Sequence, residues 1–263
     1  MTPNPPERTE DARVVVMTAG GPNPAVVINA LAARWPNLHV ILEDPESKLD
    51  ITRRRARRFG WPNALGQLAT MMVGRLLRPL AARRTAEICR NRNADPVMPE
   101  RVPVSRVASI NDPQCAELVR ELRPAVILLV STRLMTRTPL DKLPCPVLNL
   151  HAGINPAYRG QMGGYWSLAL RDAGNFGATV HLVDAGTDTG GTLYEVRTRP
   201  EPGDFIATYP LTLTIASLGI VGQAVEDAVH GRLRPMAAEG PSHLRFPPPL
   251  WTWLRYGLTR GIW

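Results

Sequence analysis

Acidic side chains are almost missing from one long stretch of this chain: between Thr52 and Arg92 there are eleven arginines and one carboxylate, Glu87. That window carries a formal +10, whereas the whole chain carries +8, so the remainder is slightly acidic. The basic character is local, and it does not make the whole surface a nucleic-acid binder. Cysteine is equally scarce. Cys89, Cys115 and Cys145 have no metal-ligand spacing and are odd in number, which excludes a disulfide framework, implies no metal and suits a reducing compartment. Free thiols of this kind read as small buried hydrophobes. No apolar run nears 18 residues, and the start Met1–Arg8 lacks the basic-then-apolar pattern of a secretory leader. A cytoplasmic protein is the expectation.

What is present is enough apolar material, 44% of 263 residues, for one sizeable α/β domain with extensions. Residues 1–11 are proline-rich and polar and are expected to be disordered. Arg13–Met17 and Leu38–Leu42 read as parallel strands, with a glycine-proline turn (Thr18–Pro24) and a helix (Ala25–Arg34) between them. Asp112–Leu122 reads as a helix capped by Asn111 or Asp112, with Pro113 near its first position. Ala125–Val130 is a continuous apolar run, as in a strand covered on both faces. Further on, Tyr165–Asp172 and Leu211–His230 read as helices, and Ala178–Val183 and Gly191–Thr198 as strands. Strands alternating with helices predict a mostly parallel, doubly wound sheet.

The chemistry centres on Asn149-Leu150-His151. Pro146–His151 reads as a short strand, and residues two apart on a strand share a face, so Asn149 and His151 point the same way. Asp188 follows 37 residues after His151, inside the glycine-bracketed loop Val183–Gly191. An amide, an imidazole and a carboxylate are together suited to moving an acyl unit onto an amine. A lone Asn-x-His or a lone loop aspartate is usually structural; here their order and flanking segments decide. Asn149–Gly160, Gly177–Asp184 and Gly186–Gly190, taken together, resemble the formyltransferases that use 10-formyltetrahydrofolate. The likeness is strong over Pro124–Leu233 and weaker over Ala12–Leu42, and about 50–99 match nothing in that family.

The resemblance implies a Rossmann-like formyltransferase fold, a mostly parallel twisted sheet flanked by helices, with a basic helical insertion and a short C-terminal extension. The implied division is a tail (1–11), a catalytic domain (12–235, with 50–99 inserted) and the extension (236–263). It implies catalytic roles for Asn149, His151 and Asp188, and 10-formyltetrahydrofolate as co-substrate. Arg133, Leu134 and Met135, with Val183, Asp184 and Gly186, become candidates for the donor site. The turn holding Gly20, Gly21 and Asn23 lies where some relatives bind an acceptor phosphate, although Pro22 and Pro24 each remove a donor. Tyr158 and Arg159 are candidates for the acceptor cleft, with a surface salt bridge the alternative for Arg159. Asp184 competes with Asp188 for the carboxylate role, and the family motif selects the second; His181 reads as a structural strand residue. One departure bears on the acceptor: many relatives have Pro-Ser after the histidine and a proline shortly after Arg-Gly, where this chain has Ala152-Gly153 and Gln161–Trp166.

The acceptor expected from this pattern is a small primary amine, with a nucleotide-linked amino sugar favoured over glycinamide ribonucleotide. Methionyl-tRNA fits less well, because about 30 residues follow Leu233, too few for the additional barrel of that branch. A formyl-folate hydrolase would use the same trio. A catalytically idle, basic, membrane-associated binding module is the reading from a different class. Within the insertion, Leu65, Leu68, Met72, Leu76 and Leu80 have amphipathic spacing over Ala64–Leu80. This predicts a helix packed on the sheet with a solvated basic face. Contact of 52–92 with an anionic membrane is the alternative, helped by the aromatic segment Phe246–Leu258. The ordered aromatic–basic alternation of a single-strand platform is missing.

Overall fold

The structure, a computed structural model, describes residues 11–263. The expected disorder of 1–10 falls outside the described residues; Asp11 is held through its carbonyl by Asn37 Nδ2 at 3.0 Å. The chain runs β1 (Val14–Thr18), α1 (Pro22–Ala32), β2 (Leu38–Glu43), α2 (Lys48–Phe59), α3 (Trp61–Leu76), α4 (Arg78–Asn91), β3 (Val104–Val107) and α5 (Pro113–Leu122). It continues with β4 (Val126–Val130), α6 (Arg137–Leu140), β5 (Val147–His151), β6 (Arg159–Gly160), α7 (Gly163–Ala169) and β7 (Gly177–Leu182). The last elements are β8 (Thr192–Arg197), α8 (Tyr209–Ala216), α9 (Leu218–Val229), β9 (Leu244–Arg245) and α10 (Leu250–Arg260).

Seven strands form one sheet in the order β3-β2-β1-β4-β5-β7-β8, parallel through β5, with β7 and β8 added antiparallel at one edge. The continuous apolar runs of β1 and β4 are buried on both faces, as expected of central parallel strands. Strand parity divides them between two cores. Val14, Val16, Val126 and Leu128 pack into one, and Val15, Met17, Ile127 and Leu129 into the other. Asp112 caps α5 by accepting from Gln114 N at 3.0 Å, with Pro113 opening the helix.

This topology places the site. From β1 the chain crosses to β2 on one side, and β4 lies on the other. The crevice outside the carboxyl ends of β1 and β4 is therefore the switch point where open α/β sheets take ligands. Gly20–Asn23 follow β1, Ser131–Met135 follow β4, and β5 ends beside them.

The expected helix over Ala64–Leu80 is two. Pro79 has no N–H and its ring cannot sit within a continuing helix, so α3 stops at Leu76 and α4 starts at Arg78 with the proline in its first turn. The helix expected over Leu211–His230 likewise starts earlier, at Tyr209, and breaks at Ser217, whose hydroxyl bonds back to the Thr214 carbonyl at 2.8 Å. The basic face is not wholly solvated either. Arg84, 8% exposed at the side chain, lies 2.9 Å from the buried carboxylate of Asp204 and 3.0 Å from Glu87. The orientation of α3 is the largest departure. Ala64, Gln67 and Thr70 are buried, while Leu65, Met72 and Leu76 of the expected inward stripe are exposed.

The last residues are built into the molecule. β9 pairs with β6, and Trp253 and Tyr256 of α10 belong to the main core.

Candidate active site

β5 carries Asn149 and His151 to the carboxyl edge of the sheet, and β7 lies antiparallel beside it with His181 opposite Asn149. The loop after β7 brings Asp188 back over both. Asp188 takes a left-handed backbone (φ 50°), which aspartate tolerates better than most residues. The loop is closed by Asp184, whose Oδ1 accepts from Gly186 N at 3.0 Å and Thr189 Oγ1 at 2.7 Å. Glycine is required on two sides: a Cβ at Gly186 would lie 1.9 Å from Thr189 Oγ1, and one at Gly190 would lie 1.9 Å from the Leu182 carbonyl.

Four polar groups meet at the Asp188 carboxylate. Oδ2 accepts from Gly160 N at 2.7 Å and faces His151 Nδ1 at 3.5 Å; Oδ1 accepts from Asn149 Nδ2 at 3.1 Å and faces His181 Nε2 at 3.3 Å. The Asn149 amide orientation follows from its partners. Exchanging its oxygen and nitrogen would set two acceptors against each other at Asp188. His181 Nδ1 faces the Leu182 carbonyl at 2.7 Å, so that nitrogen carries the proton and Nε2, 3.0 Å from Asn149 Nδ2, can accept the second amide hydrogen. His151 Nε2 donates to the Tyr158 carbonyl at 2.7 Å, leaving Nδ1 directed at the carboxylate.

Burial alone would push the Asp188 carboxyl up. The opposing charge of His151, with the bond from the Gly160 N–H, outweighs it and holds the group well below the usual carboxylate range. The carboxylate is thus ionised at neutral pH. A folded value below the unfolded one means that this ionisation stabilises the protein above about pH 4 and that the contribution fades as pH falls towards 2. We expect Asp188→Asn to cost about 2 kcal/mol at neutral pH. The gap to wild type, measured by urea unfolding, should narrow between pH 5 and pH 3; a gap constant over that interval would contradict the assignment.

Other candidates have different surroundings. The Arg133 guanidinium is committed to Glu43 (2.5 Å) and to the Asp44 carbonyl (2.6 Å), and Met135 is buried in the second core, so of that segment only Leu134 is freely exposed. Val183 packs against the same core and donates its N–H to the Val147 carbonyl. Tyr158 is buried with its hydroxyl on Asp172 at 2.7 Å; burial and that carboxylate push its own ionisation well up. Its contribution is the carbonyl that orients His151. Arg159 donates to the Thr187 carbonyl at 3.1 Å, bracing the Asp188 loop rather than pairing with a surface acid. Gly20 and Gly21 have positive φ, and Gly21 precedes α1 as its N-cap, so the turn stands at the switch point with Asn23 half-buried. Gly153 lies against the imidazole: a Cβ there would approach His151 Nε2 to 2.5 Å. The Ala152-Gly153 departure therefore borders the histidine.

His181, expected to be a structural strand residue, stands against both Asn149 and Asp188. The signal was the pairing of two strands, which no periodicity within either strand contains. Beyond the carboxylate, a cleft of about 130 Å³ opens between α2 and the segment after β6, lined by Arg54, Arg55, Arg58, Gln161 and Phe246. Arg55 bridges it, donating to Gln161 Oε1 at 2.9 Å.

An open α/β sheet of Rossmann-like type thus carries an ionised carboxylate, two imidazoles and an amide at its carboxyl edge. The chain belongs to the formyl transferase family, whose sequence profile, described as Formyl transferase, matches residues 12–209. Similar curated proteins include the methionyl-tRNA formyltransferase of Trichlorobacter lovleyi, 25% identical over 52% of this chain and 44% of that protein. Another is that of Chlorobium chlorochromatii, 28% identical over 52% and 41%. The chain thus spans less than half the length of these relatives. Among solved structures, glycinamide ribonucleotide transformylase 1 from Symbiobacterium toebii has a TM-score of 0.56 at 18% identity, over 87% of this chain and 96% of that one. A sugar N-formyltransferase from a Shewanella species has a TM-score of 0.56 at 10% identity, over 89% and 76%. At these identities the likeness speaks for the fold.

Proposed function

We propose that the protein transfers a formyl group from 10-formyltetrahydrofolate to a primary amine, with a nucleotide-linked amino sugar as acceptor. The observation that carries the reading is the buried, ionised Asp188 within reach of Asn149 and His151. The donor, a co-substrate, supplies the electrophilic formyl carbon. The residues suit it by their chemistry: exposed Leu134 lies at the same sheet edge as the site, and the 183–190 loop offers backbone polar groups to a flat heterocycle. Asp188 takes a proton from the attacking ammonium through a water. Asn149 donates to the oxygen that becomes negative, which replaces His181 Nε2 as acceptor of one amide hydrogen; such a donor is worth about 3 kcal/mol. Protonated at Nδ1, His151 gives a proton to the departing nitrogen while Tyr158 holds the ring.

The choice of acceptor rests on charge. The arginine-lined cleft begins at Gln161, next in sequence to Gly160, whose N–H bonds Asp188. Arg54 is neutralised by a two-point contact with Glu46, whereas Arg55 and Arg58 are not paired with a carboxylate among the described residues. A diphosphate beside the reacting amine suits such a cleft. The test is purified protein with 10-formyltetrahydrofolate and a panel of amines, followed by folate absorbance. Turnover with nucleotide amino sugars, lowered by Arg55→Gln through KM, supports the reading. Turnover with glycinamide ribonucleotide alone would move the acceptor to that class, release of formate without amine would make the protein a hydrolase, and silence throughout would remove the enzymatic account.

A further inference from the structure

The insertion packs with its apolar stripe outward. On α3, Trp61, Leu65, Met72 and Leu76 are 49–78% exposed, and at 100° per residue they fall within an arc of roughly 60°. The opposite face, which is buried, consists of Ala64, Gly66, Gln67 and Thr70. Thr70 Oγ1 satisfies itself on the Gly66 and Pro248 carbonyls at 3.1 and 2.8 Å. Only Val73 and Leu77 of this stretch reach the main core as apolar side chains, while Trp61, Leu65, Met72 and Leu76 face out, more apolar surface than a helix whose only partner is its own core leaves exposed.

α10 repeats the arrangement beside it. Trp253, Tyr256 and Gly257 are buried, and Trp251, Leu254 and Leu258, at spacings of three and four, are 41–78% exposed. The Trp251 ring packs over Gly66, where an added Cβ would lie 2.4 Å from it, so the second stripe adjoins Leu65 of the first. Ten of the fifteen large exposed hydrophobics among the described residues lie in α2–α4, α10 and the residues just after it. Scattered single apolar residues need no explanation, but a concentration of this kind does.

Charge identifies what covers it. Neither 51–86 nor 250–263 contains an acidic side chain. Arg57, Arg75, Arg78 and Arg83 are exposed and make no ion pair among the described residues, and Arg75 flanks the α3 stripe. A second copy of the chain would set two such arginine-rich faces against each other. A single-stranded nucleic acid would meet aliphatic side chains instead of a ladder of aromatic rings. An apolar stripe rimmed by arginine, with tryptophans alongside, is the composition of helices lying in the headgroup region of an anionic bilayer.

We propose that α3 and α10 form a surface that docks the protein onto anionic phospholipid membranes, its apolar side chains entering the interface and its arginines meeting lipid phosphates. The inference is independent of the formyl-transfer reading. It is tested with the full chain by co-sedimentation with phosphatidylcholine vesicles, with and without phosphatidylglycerol. The protein should pellet with the anionic vesicles only and be released by added salt. The triple variant Leu65→Gln, Met72→Gln, Leu76→Gln alters exposed positions and should keep the wild-type thermal midpoint while binding roughly a hundredfold more weakly. Arg75→Glu with Arg78→Glu should reduce binding without touching the stripe. Equal pelleting by the triple variant would overturn the proposal. So would wild type that ignores vesicles, whether it forms a dimer that the triple variant abolishes, binds single-stranded nucleic acid or stays monomeric.

Discussion

Asp188→Asn should lower the turnover number of formyl transfer by about a thousandfold, within the range lost when a positioned acid–base group is removed. The substitution is chosen for how little else it changes. Asparagine accepts the left-handed backbone at this position, where φ is 50°. Its single carbonyl oxygen can still take either the Gly160 N–H or the Asn149 amide, but not both carboxylate roles. Two things then disappear: the basic oxygen that receives the proton of the ammonium, and the negative charge facing His151 Nδ1 at 3.5 Å. Since neither acts by holding substrate, the loss should fall on kcat with KM within a few-fold. Stopped assays with 10-formyltetrahydrofolate, beside a circular-dichroism melt, measure both. A variant retaining more than a tenth of wild-type turnover would sink the assignment of this carboxylate.

How far the sequence could be read depended on whether its signals were local. The run Ala125–Val130 could only be a strand covered on both sides, and β4 is that strand. The Asp112-Pro113 start gave α5 to within a residue, because a cap and a proline act on the residues beside them. The site was legible in part for the same reason. Asn149 and His151 share a strand, and strand parity does not depend on the rest of the fold. His181 reaches Asp188 only because β7 lies antiparallel to β5 in one particular register, and nothing within Ala178–Val183 encodes that pairing. Periodicity in Ala64–Leu80 announced an amphipathic helix without saying which side is wet. The tertiary contacts of Gly66 with Trp251 and of Thr70 with Pro248 turned the stripe outward. Pro79 is a local signal that divides the helix, and the apolar spacing runs straight through it.

Gly160→Ala should strike the fold and the carboxylate together. Gly160 has φ of 92°, a region open to glycine and costly for alanine. Its absent Cβ would lie 2.3 Å from the Arg245 carbonyl and 2.8 Å from Leu244 Cδ1, inside the two-residue pairing of β6 with β9. The obstruction is backbone, so no side-chain rotation relieves it. β9 must move away or Gly160 must turn. If the residue turns, its N–H leaves Asp188 Oδ2, now 2.7 Å distant, and the carboxylate loses a bond that keeps it ionised and aimed. Strained backbone and lost pairing together should cost about 3 kcal/mol of stability. A displacement of about 1 Å at the carboxylate should lower turnover about a hundredfold even in the folded fraction. Gly174→Ala serves as the reference, since a Cβ there meets nothing within 4 Å, and it should leave unfolding free energy and turnover within error of wild type. If Gly160→Ala instead matched that reference in urea denaturation and in rate, the close approach of β9 to the loop before α7, and with it the bracing of Asp188 from that side, would have to be abandoned.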